Sequence, residues 1–190
     1  RIRIGGHQRS DIDRGRVQRH PLYSLVIAES ISGIPDMVRV AMLQHHERDN
    51  GTGYPCNLTG DSISDIARVL AISDVFAALT SPRHHRKNKL PYIAMEEMVR
   101  SAASGQFHKP STRALVQAAG LFPVGSYVKL SSNRVAHVLS ANANHFDRPT
   151  IRLISDEGEG EGPPIDLTRI PVETLRITRA VAGPRANEAA

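Results

Sequence analysis

The sequence predicts a mainly α-helical domain with a small antiparallel β appendage at its C-terminus. Before residue 120 the apolar residues recur at helical spacing, and after it they alternate with polar residues as they do in strands. A length of 190 residues suits one domain with a small addition. We therefore predict a helical domain over residues 1–119, a β-rich appendage over 120–182 and a flexible tail over 183–190.

Start and stop signals divide the first part into helices. The first of them begins at His20 and Pro21, since proline is favoured in a first turn, and Gly33 and Pro35 end it. A long loop rich in Gly, Asn and Asp is predicted at 48–62, and such loops are often functional. The further helices are predicted at 36–47, opened by Asp36, at 62–81 with Ser62 as the cap, at 91–104 and at 110–119.

The second part has the period-two pattern of strands. Three segments, at 126–132, 134–142 and 148–156, alternate apolar and polar residues, and Ser- and Asn-rich turns separate them. The run GEGEGPP at 158–164 predicts a flexible linker or loop. One more strand is predicted within 165–181.

Charge and composition exclude several classes of protein. The net charge of +5 comes from basic clusters at 1–20 and 83–89 that outweigh an acidic run at 156–161. Such runs are typical of solvated faces, although 83–89 also suits a small phosphorylated ligand. DNA or RNA binding is disfavoured, because four Phe, four Tyr and no Trp provide few surfaces for base stacking.

One cysteine excludes both a disulfide framework and a Cys-rich zinc site. No apolar run approaches the length of a membrane span, and the polar first residues do not resemble a secretory signal. We therefore expect a cytoplasmic protein.

Polar residues on apolar helix faces indicate a metal site. Asp74 has Leu70, Ala71 and Ala78 as helical neighbours, so its carboxylate is predicted to face the core, where an unpaired charge is costly. His45 is predicted to lie on the inner stripe of its helix. Together with His20 and His46, these residues form a ligand set that suits iron, manganese or zinc. The alternatives are that the histidines are core residues and that Asp74 is a helix cap or forms a salt bridge with a nearby arginine such as Arg68.

Five motifs in order resemble the HD-GYP family of HD-domain metal-dependent phosphohydrolases. They are HP at 20–21, HHE at 45–47, GxGYP at 51–55, ISDVFAALTSPR at 72–83 and LFPVGSYVKLS at 121–131. The resemblance covers roughly residues 10–155. It implies an HD-type helical fold and hydrolysis of the bacterial messenger cyclic di-GMP to pGpG or GMP. It also implies a divalent metal centre of two or three ions, iron or manganese.

The resemblance also implies roles for particular residues. They are metal binding by His20, His45, His46 and Asp74; orientation of a ligand histidine by Glu47; substrate binding by Tyr54, Arg83 and Arg86; and loop formation by Gly51, Gly53 and Pro55. Glycine suits backbone of positive φ and close approach to a ligand, and the arginine fork suits phosphate. The alternative for the GxGYP loop is a structural turn that also binds partner proteins. The alternative for Arg83 and Arg86 is a solvated basic turn.

The chain departs from the family pattern at several positions. Asn50 and Ala77 each stand where aspartate is common, and Asn57 replaces a usual glycine, a mild change because asparagine tolerates the left-handed region. The His-Asp pair of the family is expected further upstream than the nineteen residues that precede His20. We therefore expect that the chain begins after this pair, exposes apolar surface and does not hydrolyse appreciably by itself.

The alternative function is that of a degenerate HD-GYP module. Such a module would bind cyclic di-GMP or a GGDEF-type partner without hydrolysis. An upstream receiver or sensor domain is a further partner that the resemblance suggests.

Overall fold

The computed structural model describes residues 11–81, 89–155 and 159–183, with side chains from residue 15 onward and except at 160–161. These residues form helices first and strands afterwards. The helices are α1 (Asp11–Gln18), α2 (His20–Glu29), α3 (Asp36–Gln44), α4 (Asp65–Thr80), α5 (Pro91–Ala103) and α6 (Lys109–Ala119), with a 3₁₀ turn at Gly60–Ser62 before α4. The predicted fold class, mainly α with a small antiparallel sheet, is confirmed.

Two helix ends differ from their prediction. Helix α3 ends at Gln44 and not at residue 47, because His45 occupies the C-cap and turns its ring back onto the carbonyl of Met42. Ser62 lies in the 3₁₀ turn, and it is the hydroxyl of Ser64 that accepts a bond from the first turn of α4, at 3.3 Å from the nitrogen of Ala67. The chain therefore turns sharply after α3 and presents the segment from His45 onward as a loop.

A five-stranded antiparallel sheet follows the helices. Its strands are β1 (Tyr127–Leu130), β2 (Val135–Ser140), β3 (Thr150–Ile154), β4 (Gly160–Asp166) and β5 (Ile177–Val181), in the spatial order β4-β3-β2-β1-β5. A second 3₁₀ turn, Leu167–Arg169, leads from β4 towards β5. One face of the sheet is buried, as the alternation predicted, and its core consists of Val128, Leu130, Ala136, Val138, Ile151, Leu167 and Phe122.

The prediction of a flexible linker at 158–164 is wrong for its second half. Residues 160–166 form β4, which pairs with β3 in the register Ile151↔Ile165 and Thr150↔Asp166. Proline and glycine argue against a central strand because they weaken the hydrogen-bond ladder. Strand β4 lies at the edge of the sheet, where Pro163 and Pro164 are tolerated.

The chain contains two compact units, and their boundary does not coincide with residue 120. The described residues of the first unit are 11–78 and 100–112, and those of the second are 79–81, 89–99, 113–155 and 159–183. The second unit therefore includes part of α5 and α6, and Tyr92 of α5 stacks on Phe122 with ring centroids 5.3 Å apart. Residues 184–190 of the predicted tail lie outside the described residues.

The helices of the first unit expose much apolar surface. Large apolar side chains at least 39% exposed occur on α2 (Leu22, Tyr23, Val26, Ile27), α3 (Met37, Val38, Val40) and α4 (Ile66, Val69, Leu70). The expectation of exposed apolar surface is confirmed for the described residues. No helix among them combines the length and the apolar character that crossing a membrane would require.

Candidate metal centre

Three imidazole rings converge in the first unit. The Nε2 atom of His20 lies 3.3 Å from Nε2 of His45 and 3.1 Å from Nε2 of His46. One ring nitrogen from each of the three residues lies within 4.8 Å of the others. Residues separated by up to 26 positions in the sequence thus present their ligand atoms to one point.

The elements that carry these rings also fix their orientation. His20 is the first residue of α2, next to the buried Pro21, and its Nδ1 lies 2.6 Å from the carbonyl oxygen of Val17. The Nδ1 atom of His45 lies 2.7 Å from the carbonyl oxygen of Met42. A carbonyl oxygen only accepts, so each Nδ1 carries the proton and each Nε2 presents a lone pair to the cluster. Metal-ligating histidines are commonly held in this way.

The donor set fits a cation. The lone pairs of His20 and His45 face one another and cannot bond to each other, whereas a cation between them would satisfy both. Two nitrogens bound to one cation at about 2.1 Å lie about 3.0–3.4 Å apart, in agreement with the contacts of 3.1 and 3.3 Å in the cluster. Burial lowers the pKa of His46 from 6.5 to about 3, and electrostatic repulsion by His45, His20 and Arg48 acts in the same direction, so this ligand stays neutral.

Asp74 does not lie where the helix pattern predicted it. Its side chain is exposed, and it shares this face of α4 with Ile66 and Leu70, while Ala67 and Ala71 occupy the buried face. Apolar residues surround most of the helix, so the pattern alone could not show which face packs. The described residues form a metal-ligand cluster from the three histidines without Asp74. The carboxylate is nevertheless close enough to raise the pKa of both Arg48 and Tyr54. For Arg48 this opposes the effect of burial, and for Tyr54 it adds to the effect of burial.

Glu47 holds the following loop, and among the described residues it forms no hydrogen bond to a histidine. The residue is 2% exposed, and its two carboxylate oxygens accept hydrogen bonds from the backbone amides of Cys56, at 2.6 Å, and Leu58, at 3.0 Å. Both carboxylate oxygens thus bind the backbone of the loop. Glu47 was instead predicted to orient a ligand histidine. The buried charge is balanced by donors of the backbone.

The GxGYP loop is pressed against the HHE segment. A Cβ atom on Gly53 would lie 2.4 Å from Cα of Glu47, so only glycine fits there. Gly51 has a φ of +74° and Asn57 a φ of +54°, in the left-handed region, which confirms that asparagine is tolerated at this position. The side-chain amide of Asn57 donates to the carbonyl of Gly53 at 2.5 Å and closes the loop. Pro55 follows a cis peptide bond.

Tyr54 is brought onto the cluster by this loop. Its ring stacks on that of His46 with centroids 4.7 Å apart, and its backbone amide donates to the carbonyl of His46. Burial raises the pKa of the Tyr54 hydroxyl, so this group keeps its proton and remains a hydrogen-bond donor. The predicted loop and cluster residues thus lie together, with Tyr54 at the margin of the three imidazoles.

Arg48 is a residue of the site that the sequence analysis missed. Its guanidinium donates to the carbonyls of His45, at 3.3 Å, and Glu47, at 2.7 Å, and lies over the ring of Phe107. The burial of the guanidinium lowers the pKa of Arg48, although the group remains charged. Its position directly after HHE was the available signal, but basic residues in polar loops are usually solvated.

Arg83 and Arg86, predicted to bind phosphate, lie outside the described residues.

Replacing Glu47 with alanine should destabilise the loop. The amides of Cys56 and Leu58 would lose their acceptor, and the free energy of unfolding should fall by about 3 kcal/mol, because each hydrogen bond to a charged group contributes roughly 1.5–3 kcal/mol. Urea denaturation and the exchange rates of these two amides measure the effect. Glu29→Ala at an exposed position is the control, and equal behaviour of the two variants would contradict this role of Glu47.

The metal-free chain should lose stability as the pH falls from 6.5 towards 3. In this range the His46 ring is neutral when folded and protonated when unfolded, so the unfolded state binds more protons and stability rises with pH. Urea midpoints at pH 7 and at about pH 4.5 in a chelator measure the slope. The His46→Gln variant should show a smaller drop than the wild type, and an equal drop would refute the lowered pKa.

Comparison with known proteins identifies the family of this part of the chain. The family of the HD domain matches residues 2–109, which include all three histidines and the loop. Cyclic di-GMP phosphodiesterase PA4108 of Pseudomonas aeruginosa is 35% identical over 76% of this chain and 34% of its own length. Cyclic di-GMP phosphodiesterase PdeB of Borreliella burgdorferi is 24% identical over 75% of this chain and 37% of its own length.

The chain thus spans about a third of the length of these two curated relatives. The solved structure of Bd1817, an HDG"Y"P protein from Bdellovibrio bacteriovorus, matches 57% of this chain and 33% of its own length, at 18% identity and a TM-score of 0.47. The match over residues 2–109 shows that this chain belongs to the HD-domain family, with the ordered HHE and GxGYP motifs of an HD-GYP protein.

Proposed function

We propose that the chain is part of a metal-dependent phosphodiesterase that hydrolyses cyclic di-GMP. The observation that carries this proposal is the convergence of three histidine Nε2 atoms, two of them oriented by Nδ1 bonds to backbone carbonyls. The choice of cyclic di-GMP as the substrate rests on the names of PA4108 and PdeB, which are both cyclic di-GMP phosphodiesterases. The product would be pGpG or GMP.

The residues of this chain have separable tasks in the proposal. His20, His45 and His46 bind a divalent cation, iron or manganese, and Asp74 extends this ligand set from the neighbouring face of α4. Such ions, when bound, activate water and neutralise charge on phosphoryl oxygens. Glu47 and Gly53 hold the loop, and Tyr54 offers a protonated hydroxyl and a ring at the margin of the cluster. Arg83 and Arg86 pair with phosphate oxygens of the dinucleotide.

The second candidate is a module that binds without hydrolysis. It is favoured by the composition of the cluster, because the described residues bring together three imidazoles and no carboxylate. Three imidazoles can hold one cation, whereas a clamp on both the attacking and the leaving oxygen requires two. Such a module would signal through cyclic di-GMP or a GGDEF-type partner, in the cytoplasm, under an upstream receiver or sensor domain.

Loss of one imidazole should weaken metal binding. We expect His45→Ala to lower the affinity for Mn²⁺ by more than about 100-fold, since even changes in groups that only orient a ligand cost about 10–100-fold. Calorimetric titration of the metal-free chain with Mn²⁺ measures this, with His145→Ala at an exposed position as the control. Equal affinities of the two variants would exclude the cluster as the metal site.

An assay of hydrolysis decides between the two candidate functions. The 190-residue chain with iron or manganese, kept anaerobic, is assayed for cyclic di-GMP hydrolysis beside a protein extended upstream. We expect no appreciable turnover by the short chain and turnover by the extended protein. Absence of hydrolysis from both, with nucleotide binding retained, would favour the binding module.

Removal of Arg83 should weaken nucleotide binding. The variant Arg83→Ala is expected to lose about 1.5–3 kcal/mol of binding free energy for cyclic di-GMP, the contribution of a charge-assisted hydrogen bond. Calorimetric titration compares it with Arg113→Ala, which removes the same charge from an exposed position of α6. If both variants bind like the wild type, Arg83 belongs to a solvated basic turn.

A further inference from the structure

The sheet of the second unit carries basic side chains that the proposed function does not use. The family of the HD domain ends its match at residue 109, and the first strand begins at Tyr127. Strands β1, β2, β3 and β5 contain no aspartate or glutamate. We call the basic face the side of the sheet that carries Lys129, His137, Arg152, Arg176 and Arg179.

The strand registers place these residues on one side of the sheet. Lys129 lies directly opposite Arg179, and His137 lies directly opposite Arg152. A shift of register between Lys129 and Leu130 accommodates an extra residue in β5. Because Ile177 and Ala180 pack on the core, their neighbours Arg176 and Arg179 both point to the other side.

The arrangement is unfavourable for the chain by itself. Like charges directly opposite each other across two strands, such as Lys129 and Arg179, are destabilising. Among the described residues, none of the lysine and arginine side chains of the basic face forms an ion pair, and Nε of Arg152 is buried without a hydrogen-bond partner. A negatively charged partner beside β5 would relieve the repulsion between Lys129 and Arg179.

Among the described residues, no strand pairs with the outer side of β5, the neighbouring edge of the sheet. Strands β4 and β5 are the two edges, and β4 contains Pro163 and Pro164, which have no amide proton to donate. Strand β5 has the sequence ITRAV without proline, and its residues Thr178 and Arg179 are exposed. Extended peptides commonly add to such an edge, where the backbone supplies affinity and alternate side chains supply specificity.

Nucleic acid fits this face less well than an acidic peptide does. Single strands bind largely by stacking bases on aromatic rings. Tyr127 is the aromatic ring on this side of β1, and the backbone of Gly183 covers it so closely that a Cβ there would lie 2.6 Å from the ring. The ring of His137 lies against Tyr127 with centroids 4.8 Å apart. The face therefore offers charge without a free stacking surface.

We propose that the edge strand β5 and the basic face bind an extended segment of a partner protein that carries aspartate or glutamate at alternate positions. The segment adds to β5 through backbone hydrogen bonds. Its acidic side chains then lie beside Arg176 and Arg179 on the same side of the sheet, since alternate residues of a strand share a face.

Fluorescence anisotropy with a labelled synthetic peptide tests the proposal on the full 190-residue chain. The probe is a peptide of about eight residues, the length of an ordinary strand, in which glutamate alternates with threonine. Arg179→Glu should weaken its binding by about 10-fold or more, because the charge change turns attraction into repulsion. The control Arg113→Glu makes the same change at an exposed position of α6 and should leave the affinity within about 2-fold.

Two further arms separate the edge from the charge. A peptide methylated on alternate backbone nitrogens should bind about 10-fold more weakly, because it cannot pair with β5. Circular dichroism should show Arg179→Glu to be as well folded as the wild type, since the substitution removes a like-charge pair. Equal binding by both arginine variants, no loss on methylation, or tighter binding of an oligo-dT strand at this face would each overturn the proposal.

Discussion

The buried carboxylate of Glu47 is the constraint on which the candidate centre depends. A charge at 2% exposure requires donors, and the amides of Cys56 and Leu58 provide them only if the chain returns over the HHE segment. That return brings Gly53 against the backbone of Glu47 and leaves no space for a side chain. It also brings Tyr54 onto His46. The conformation of the loop and the shape of the cluster therefore have one electrostatic origin.

The cluster itself is held by short-range contacts to carbonyl groups. The rings of His20 and His45 each bond to a carbonyl three residues before them, and these bonds set which nitrogen faces the centre. The guanidinium of Arg48 donates to the carbonyls of His45 and Glu47 and lies over the ring of Phe107. The geometry for a cation is thus built mainly into backbone contacts of the first unit, while the second unit presents separate chemistry on its sheet.

Much of this arrangement could be predicted from the sequence, and the failures have physical causes. Local signals located five of the six described helices, all but α1, and four of the five strands, and the ordered motifs identified the three histidines and the loop. The prediction that Asp74 is buried was wrong. Helix α4 is apolar around most of its circumference, so helical spacing did not single out the packed face. Strand β4 was missed because its prolines argue against a strand unless it is known to lie at an edge. Long-range packing decided both cases.

Cys56 allows site-specific labelling of the protein. It is the single cysteine of the chain, and its thiol is exposed while its backbone amide binds Glu47. A maleimide dye or a nitroxide can therefore be attached at one defined place, two residues from Tyr54, without first removing other thiols. Paramagnetic broadening between such a label and Mn²⁺ would measure how far a bound ion lies from the loop. Such distance measurements need no change to the sequence, because Cys56 is its single cysteine.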